Sequence, residues 1–224
     1  MILQDLINAA RELLDDTIGP YLWADERLYR YANNAMIEVA LRTRCLKESG
    51  TPATTFPVVA GTATFAIDPA TIIVSKAQMA GQKHPLILTT AKDLDRRLPG
   101  WDTDMVPAGV PEYVVFDLAQ HRVTLVPTPA EDSTLYLRVC RVPNEDEKME
   151  GPDDEPPFTS FRPEEVKHWI AHEAYLERDS ERYNPERSAQ HEAIFTARFG
   201  ARPSQHDLEV WGTRRIVGTR PHFF

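Results

Sequence analysis

Leu86-Ile87-Leu88-Thr89-Thr90, followed by Ala91 to Leu98 and then Pro99-Gly100-Trp101, decides how the middle of the chain is read. An apolar run closes on two threonines, and Thr90 with Asp93 three residues later is a variant capping box. A strand should therefore pass into a short helix over Ala91–Leu98, which Pro99-Gly100 ends. After Gly109-Val110-Pro111-Glu112, the segments Tyr113–Asp117 and Arg122–Val126 are separated by Leu118-Ala119-Gln120-His121, a spacing that suits a hairpin. Thr134–Val142 adds a further strand ending Arg141-Val142-Pro143. Prolines at 107, 111, 127, 129 and 143 sit at strand ends, where a missing N–H removes no ladder bond. Upstream, Thr62, Thr64 and Ala66 alternate with Ala63, Phe65 and Ile67, Thr71–Val74 is β-branched-rich, and Gly81-Gln82 reads as a turn. The middle of the chain is thus expected to be an antiparallel β insertion.

Helical patterns flank it. Leu3, Leu6, Ile7, Ala10, Leu13 and Leu14 recur at helical spacing, with Asp15-Asp16 and Gly19-Pro20 as the stop. A second helix is expected from near Trp23 to about Lys47, with Leu28, Tyr31, Ala32, Ala35, Val39 and Leu46 inward. Arg27, Arg30, Arg42 and Arg44 should face mostly outward, and Ser49-Gly50-Thr51-Pro52 should end the helix. Pro163 with Glu164 and Glu165 marks the start of a third helix, whose inward face is Val166, Trp169, Ile170, Ala174 and Leu176. Asn184-Pro185 is an N-cap and first-turn pair, and Gly200 follows Phe199 as a C-cap, so both ends of a fourth helix are written in the chain. The short link between the last two helices implies an antiparallel pair. Neither helical pair can bury its stripe alone, so the two should pack together with the β part looped out between them.

Two segments break the pattern. Asn144–Pro157 carries seven carboxylates against Lys148 and is expected to remain a solvated acidic loop, facing water, a DNA path or a basic neighbour. Residues 202–224 hold Arg202, Arg214, Arg215 and Arg220 against Asp207 and Glu209, together with Trp211, Ile216, Val217, Phe223 and Phe224. Large apolar groups without a helix to bury them, interleaved with arginine, suit a docking tail that orders on a partner.

The 224 residues carry a formal charge of −9, which argues against a nucleic-acid-binding main surface, because that needs a basic face to displace counterions. Cys45 and Cys140 are too few for a disulfide framework or a four-ligand metal site and read as buried thiols. The amphipathic, charge-bearing start Met1–Leu14 is neither a signal peptide nor a membrane span. His168 and His172, four apart, would face one way on a helix, but His168-Trp169-Ile170-Ala171-His172-Glu173 lacks the order of a metalloprotease signature. No Gly-rich phosphate loop and no G-x-S-x-G elbow occurs, so no catalytic residue, metal or cofactor is assigned.

The order of elements from Leu86 to Pro143, the opening Trp23-Ala24-Asp25-Glu26-Arg27-Leu28 of the second helix, and the closing helical pair within Phe161–Phe199 resemble the head-to-tail adaptor (connector, or head completion) proteins of tailed bacteriophages. The resemblance covers almost the whole chain and rests on element order and punctuation. It implies an α+β fold in which an antiparallel helical bundle, built from both chain ends, carries an inserted antiparallel β domain and an extended C-terminal tail. The boundaries are 1–50 for the N-terminal helical pair, 51–143 for the β domain, 144–159 for the acidic loop, 160–201 for the C-terminal helical pair and 202–224 for the tail. It also implies a non-enzymatic virion protein of the neck, forming a homo-oligomeric ring of twelve copies. That ring would contact the portal protein and a tail or nozzle protein, with double-stranded DNA passing through and no membrane involved.

In that reading Trp211, Arg214, Arg215, Ile216, Val217, Arg220, Phe223 and Phe224 dock on the portal. Trp101, Arg42 and Arg44 face a neighbouring subunit or the tail, although Trp101 also suits a satellite core and the two arginines a solvated helix face. Other readings are a cytoplasmic helical protein-binding module, a neck or tail-side ring without portal contact, and a metal-dependent hydrolase using His168, His172 and Glu173.

Overall fold

The structure is a computed structural model, and it describes residues 2–103, 105–158, 165–178 and 182–204. Among these, five α-helices and two four-stranded β-sheets divide between two compact units: Met1–Leu46 with Arg141–Pro203, and Lys47–Cys140.

The first unit holds α1 (Leu3–Leu13), α2 (Asp25–Thr43), α4 (Lys167–Tyr175) and α5 (Pro185–Phe199). Their apolar stripes meet in one core: Leu3, Leu6, Ile7 and Ala10 from α1, Leu28, Ala32, Ala35 and Val39 from α2, Ile170 and Ala174 from α4, and Phe195 and Phe199 from α5. Each stripe is too narrow to be buried by one neighbour, so segments far apart in sequence close a shared core. The end signals of α5 are used as read. Asn184 Oδ1 accepts the Arg187 N–H at 3.0 Å, Pro185 occupies the first turn, and Gly200 at φ 87° sends its N–H to the Thr196 carbonyl at 2.9 Å.

Three expectations for this unit are corrected. The second helix ends at Thr43, not near Lys47, because Arg44 turns left-handed (φ 55°) and caps it with an N–H to Ala40 O at 2.8 Å; Lys47–Ser49 then forms a strand. Leu176 is 44% exposed, since α4 stops at Tyr175 before that face returns inward. The start expected at Pro163 and Glu164 lies outside the described residues.

The acidic loop is the third correction: it is ordered by groups it borrows. Met149 and Phe158 enter the helical core. Asn33 donates to the Met149 carbonyl at 2.8 Å and accepts the Met149 N–H at 2.9 Å. Arg141 grips Glu147 with two nitrogens, at 2.5 and 2.8 Å, and this holds the Glu147 carboxyl below its ordinary pKa. The carbonyls of Pro152 and Asp154 accept the N–H groups of Gln4 and Leu3, so the loop caps the start of α1. The composition argument failed because it counted only what the loop could bury by itself.

The second unit contains both sheets. In one, β8 (Ser133–Arg141) is central. It pairs antiparallel with β1 (Lys47–Ser49) and β2 (Thr55–Val58), and also pairs with β4 (Thr71–Met79). The other runs β3 (Thr64–Ala66), β7 (Arg122–Val126), β6 (Tyr113–Val115), β5 (Ile87–Thr89). Val58, Val74, Val114, Val123, Leu125, Leu135 and Leu137 share a core.

The β6–β7 hairpin and the short helix α3 (Ala91–Arg97) form as read, with Thr90 Oγ accepting the Asp93 N–H at 3.2 Å. The all-antiparallel expectation is corrected: Ile87 stands opposite Tyr113 and Thr89 opposite Val115 in a parallel ladder. A parallel pair needs a crossover of roughly a dozen residues or more, and α3 with the segment up to Glu112 supplies it.

Candidate interaction sites

Among the described residues of the first unit, three polar networks bear on the surfaces weighed from the sequence. At the turn between α1 and α2, the Asp16 carboxylate accepts the Leu22 N–H at 2.8 Å and the Trp23 N–H at 3.2 Å, and pairs with Arg11. Arg11 also donates to the Trp23 carbonyl at 2.8 Å and to Asp25 at 2.7 Å. Both partners of the inner pair are nearly sealed, yet Ile18 and Tyr21 on the same turn are exposed. The turn is held from within, and its apolar tip faces outward.

The second network lies where the chain leaves α5. Arg42, expected to face outward toward a neighbour, is only 8% exposed. Its Nε donates to Glu38 at 3.1 Å, and its Nη1 reaches both Thr196 Oγ at 2.9 Å and the Gly200 carbonyl at 3.0 Å. The guanidinium also lies about 5 Å over the rings of Trp169 (5.1 Å) and Phe195 (4.9 Å). The helical spacing places it on the inward edge of α2, where its stem packs and its fork finds acceptors inside the unit. Arg44 is half-buried at the end of α2.

The third network joins α4 to α5. His168 and His172, weighed as a metal pair, turn to different partners on α5. His168 Nδ1 lies 3.0 Å from His191 Nδ1, and His172 Nδ1 lies 2.8 Å from Ser188 Oγ and 3.1 Å from the Ser188 carbonyl. The Ser188 hydroxyl donates to the His172 carbonyl at 3.0 Å. His191 stacks on Tyr175 at 5.8 Å. Burial lowers the pKa of both His168 and His191, helped by Lys167 and Arg198 beside the first and by His168 and Arg187 beside the second. Glu173 shifts upward through burial, although Asn34 at 2.9 Å and Trp169 at 2.7 Å donate to it. Among the described residues, no three His, Cys, Asp or Glu side chains stand together as a metal site.

In the β unit, Trp101 packs with Ala91 and Leu98 on a small cluster of Leu94, Val115 and Val126, and its Nε1 donates to Asp95 at 2.8 Å. That is the satellite-core position. The ring also edges an open groove of about 440 Å³ that includes Thr64, Arg122, Thr124 and Thr128. Cys140 is buried and Cys45 half-buried. Among the described residues, no helix is long and apolar enough to cross a membrane.

The tail residues Trp211, Arg214, Arg215, Ile216, Val217, Arg220, Phe223 and Phe224 lie outside the described residues. Of the tail arginines only Arg202 is described, and it pairs with Glu38 at 3.2 Å. The sequence gives no sign of the roles of Glu38, Asn33 and His191, and marks Asp16 only as part of the stop of the first helix. The i, i+4 spacing of Glu38 and Arg42 was the one local signal, and it marks a helix pair without saying that the pair is buried.

A sequence model of one family, described as SU10 adaptor protein, matches residues 1–218. No curated protein matches the chain.

Proposed function

The chain belongs to the SU10 adaptor protein family, a family of phage head-to-tail adaptors, and we propose that its copies form a ring docked on the portal, extending the DNA channel and receiving the tail. The observation that carries this reading is the length of the family match: residues 1–218 take in the helical unit, the β unit and most of the tail. A structural virion component follows from the family; the ring, its twelve copies and the docking surface are our reading.

One heterologous interface repeated around an axis lets a modest subunit enclose a channel. The helical unit gathers helices from the N-terminal and C-terminal parts of the chain around one core, and in this reading it supplies the rigid body. The segment beyond Gly200 docks on the portal protein through Trp211, Ile216, Val217, Phe223 and Phe224, with Arg214, Arg215 and Arg220 meeting carboxylates. The net charge of −9 keeps passing DNA from adhering, since like charges repel over about a Debye length. Trp101 and Arg44 remain candidates for contacts with a neighbour or with the tail or nozzle protein, whereas the buried Arg42 acts inside the subunit.

Native mass spectrometry of the chain, alone and mixed with the portal ring of its source phage, tests the proposal. One copy bound per portal subunit is expected. Absence of any complex under assembly conditions overturns portal docking and favours a ring further down the neck.

A further inference from the structure

The tail's root is tied to the helical unit by charged side chains. Glu38 is 5% exposed, in the last third of α2, and a carboxylate so placed is expensive unless paired. It holds two guanidinium groups at once. Oε2 takes Arg42 Nε at 3.1 Å, and Oε1 takes a nitrogen of Arg202 at 3.2 Å. Arg42 in turn reaches past α5 to the Gly200 carbonyl at 3.0 Å.

The backbone fits this arrangement. Gly200 sits at φ 87°, with nothing within 4 Å of where a Cβ would stand, so glycine is needed there for the turn itself and not for space. Pro203 biases Arg202 toward extended backbone. Arg42 is buried and hydrogen-bonds to three groups, whereas the Arg202 side chain is 65% exposed and holds Glu38 by one contact.

We propose that Glu38, Arg42 and Arg202 form a clasp that pins Gly200–Pro203 on α2 and so fixes the point and direction from which the C-terminal segment leaves the helical unit, with Arg202 as the releasable arm. Glu38 and Arg42 are positioning residues in this scheme. By holding the root, they reduce the conformational freedom that the following segment loses when it meets a partner. For the partner, the inference rests on the adaptor reading; for the clasp itself, it does not.

The test uses the full chain. Amide exchange at Gly200, whose N–H bonds to the Thr196 carbonyl, is compared in wild type, Arg202→Ala, Glu38→Gln and Arg42→Lys. Arg202→Ala is expected to speed exchange at this amide about tenfold while leaving the α1 and α2 amides unchanged, because an exposed arm is lost and the core is untouched. Glu38→Gln should reproduce the effect through loss of charge at constant shape. Arg42→Lys should release Gly200 as well, since an ammonium cannot span Glu38, Thr196 and Gly200.

Wild-type exchange in Arg202→Ala overturns the clasp, and so does acceleration spread evenly over the whole helical unit. Accelerated exchange with unchanged portal affinity removes the clasp's part in docking. A wild-type chain that never binds a portal defeats the adaptor reading and leaves the clasp to be judged on exchange alone.

Discussion

Removing Asp16 should destabilise the helical unit more than removing Asp16 and its partner Arg11 together. The two side chains are 6% and 4% exposed, and the Asp16 carboxylate also takes the N–H groups of Leu22 and Trp23. Asp16→Ala strands a buried guanidinium, which ordinarily costs about 3–5 kcal/mol. Arg11 keeps the Trp23 carbonyl and Asp25, so the low end, about 3 kcal/mol, is expected for the charge, and the Leu22 and Trp23 N–H groups left without an acceptor add about 1 kcal/mol each, for about 5 kcal/mol. Adding Arg11→Met removes the stranded charge but leaves those two N–H groups and the Trp23 carbonyl unsatisfied, for a total of about 3 kcal/mol. Urea titrations followed by far-ultraviolet circular dichroism, which the helices dominate, measure both singles and the double. A loss of about 5 kcal/mol is a large share of the roughly 5–15 kcal/mol that holds a domain together. If the single effects simply add in the double variant, the pair is not coupled and the argument from burial fails.

Three further outcomes are expected. Neutral His168 and His191 share one proton across 3.0 Å, and their folded pKa values lie below the ordinary 6.5. The unfolded chain therefore binds more protons around and below that pH, so the stabilisation is present above about 6.5 and is lost as pH falls through it. Glu173, raised by burial, acts in the opposite sense as pH rises above its ordinary value, so the informative quantity is the difference between wild type and His191→Gln in urea midpoints across pH. A flat difference contradicts the shared-proton account. Asn33→Ala, which removes both hydrogen bonds to Met149, should cost about 1–2 kcal/mol and expose Asn144–Pro157 to proteolysis first; unaltered cleavage of that loop refutes it. Trp101→Ala should destabilise the β unit by about 2 kcal/mol, short of the ~3–5 for a fully buried aromatic. If the variant nevertheless assembles into the proposed ring as wild type does, Trp101 serves the satellite core and no interface.

Local signals carried much of the architecture. Thr90 with Asp93, Asn184-Pro185 and Gly200 act within a few residues of themselves, so their helix ends were legible in the chain. The stripes of α1 and α2 and the β6–β7 hairpin were legible for the same reason: a period of 3.6 or 2 is written into consecutive residues. What went astray depended on partners remote in sequence. The end of α2 was decided by the pairing of Lys47–Ser49 with β8, the parallel ladder by where the crossover returns the chain, and the order in the acidic loop by Asn33 and the α1 N-terminus.

The family itself was legible from element order, since order survives where individual residues do not speak. The inward turn of Arg42 was not, because a guanidinium at a helix edge faces water or core according to what packs opposite it. Here Trp169 of α4 and Phe195 of α5 supply two rings, and Thr196 and Gly200 supply two oxygens. Sequence alone determined most of the helices, the β6–β7 hairpin and the caps, because those choices are settled by neighbours along the chain. Only the tertiary structure decided which charges are buried and paired, because burial is a property of what distant segments bring to the same place.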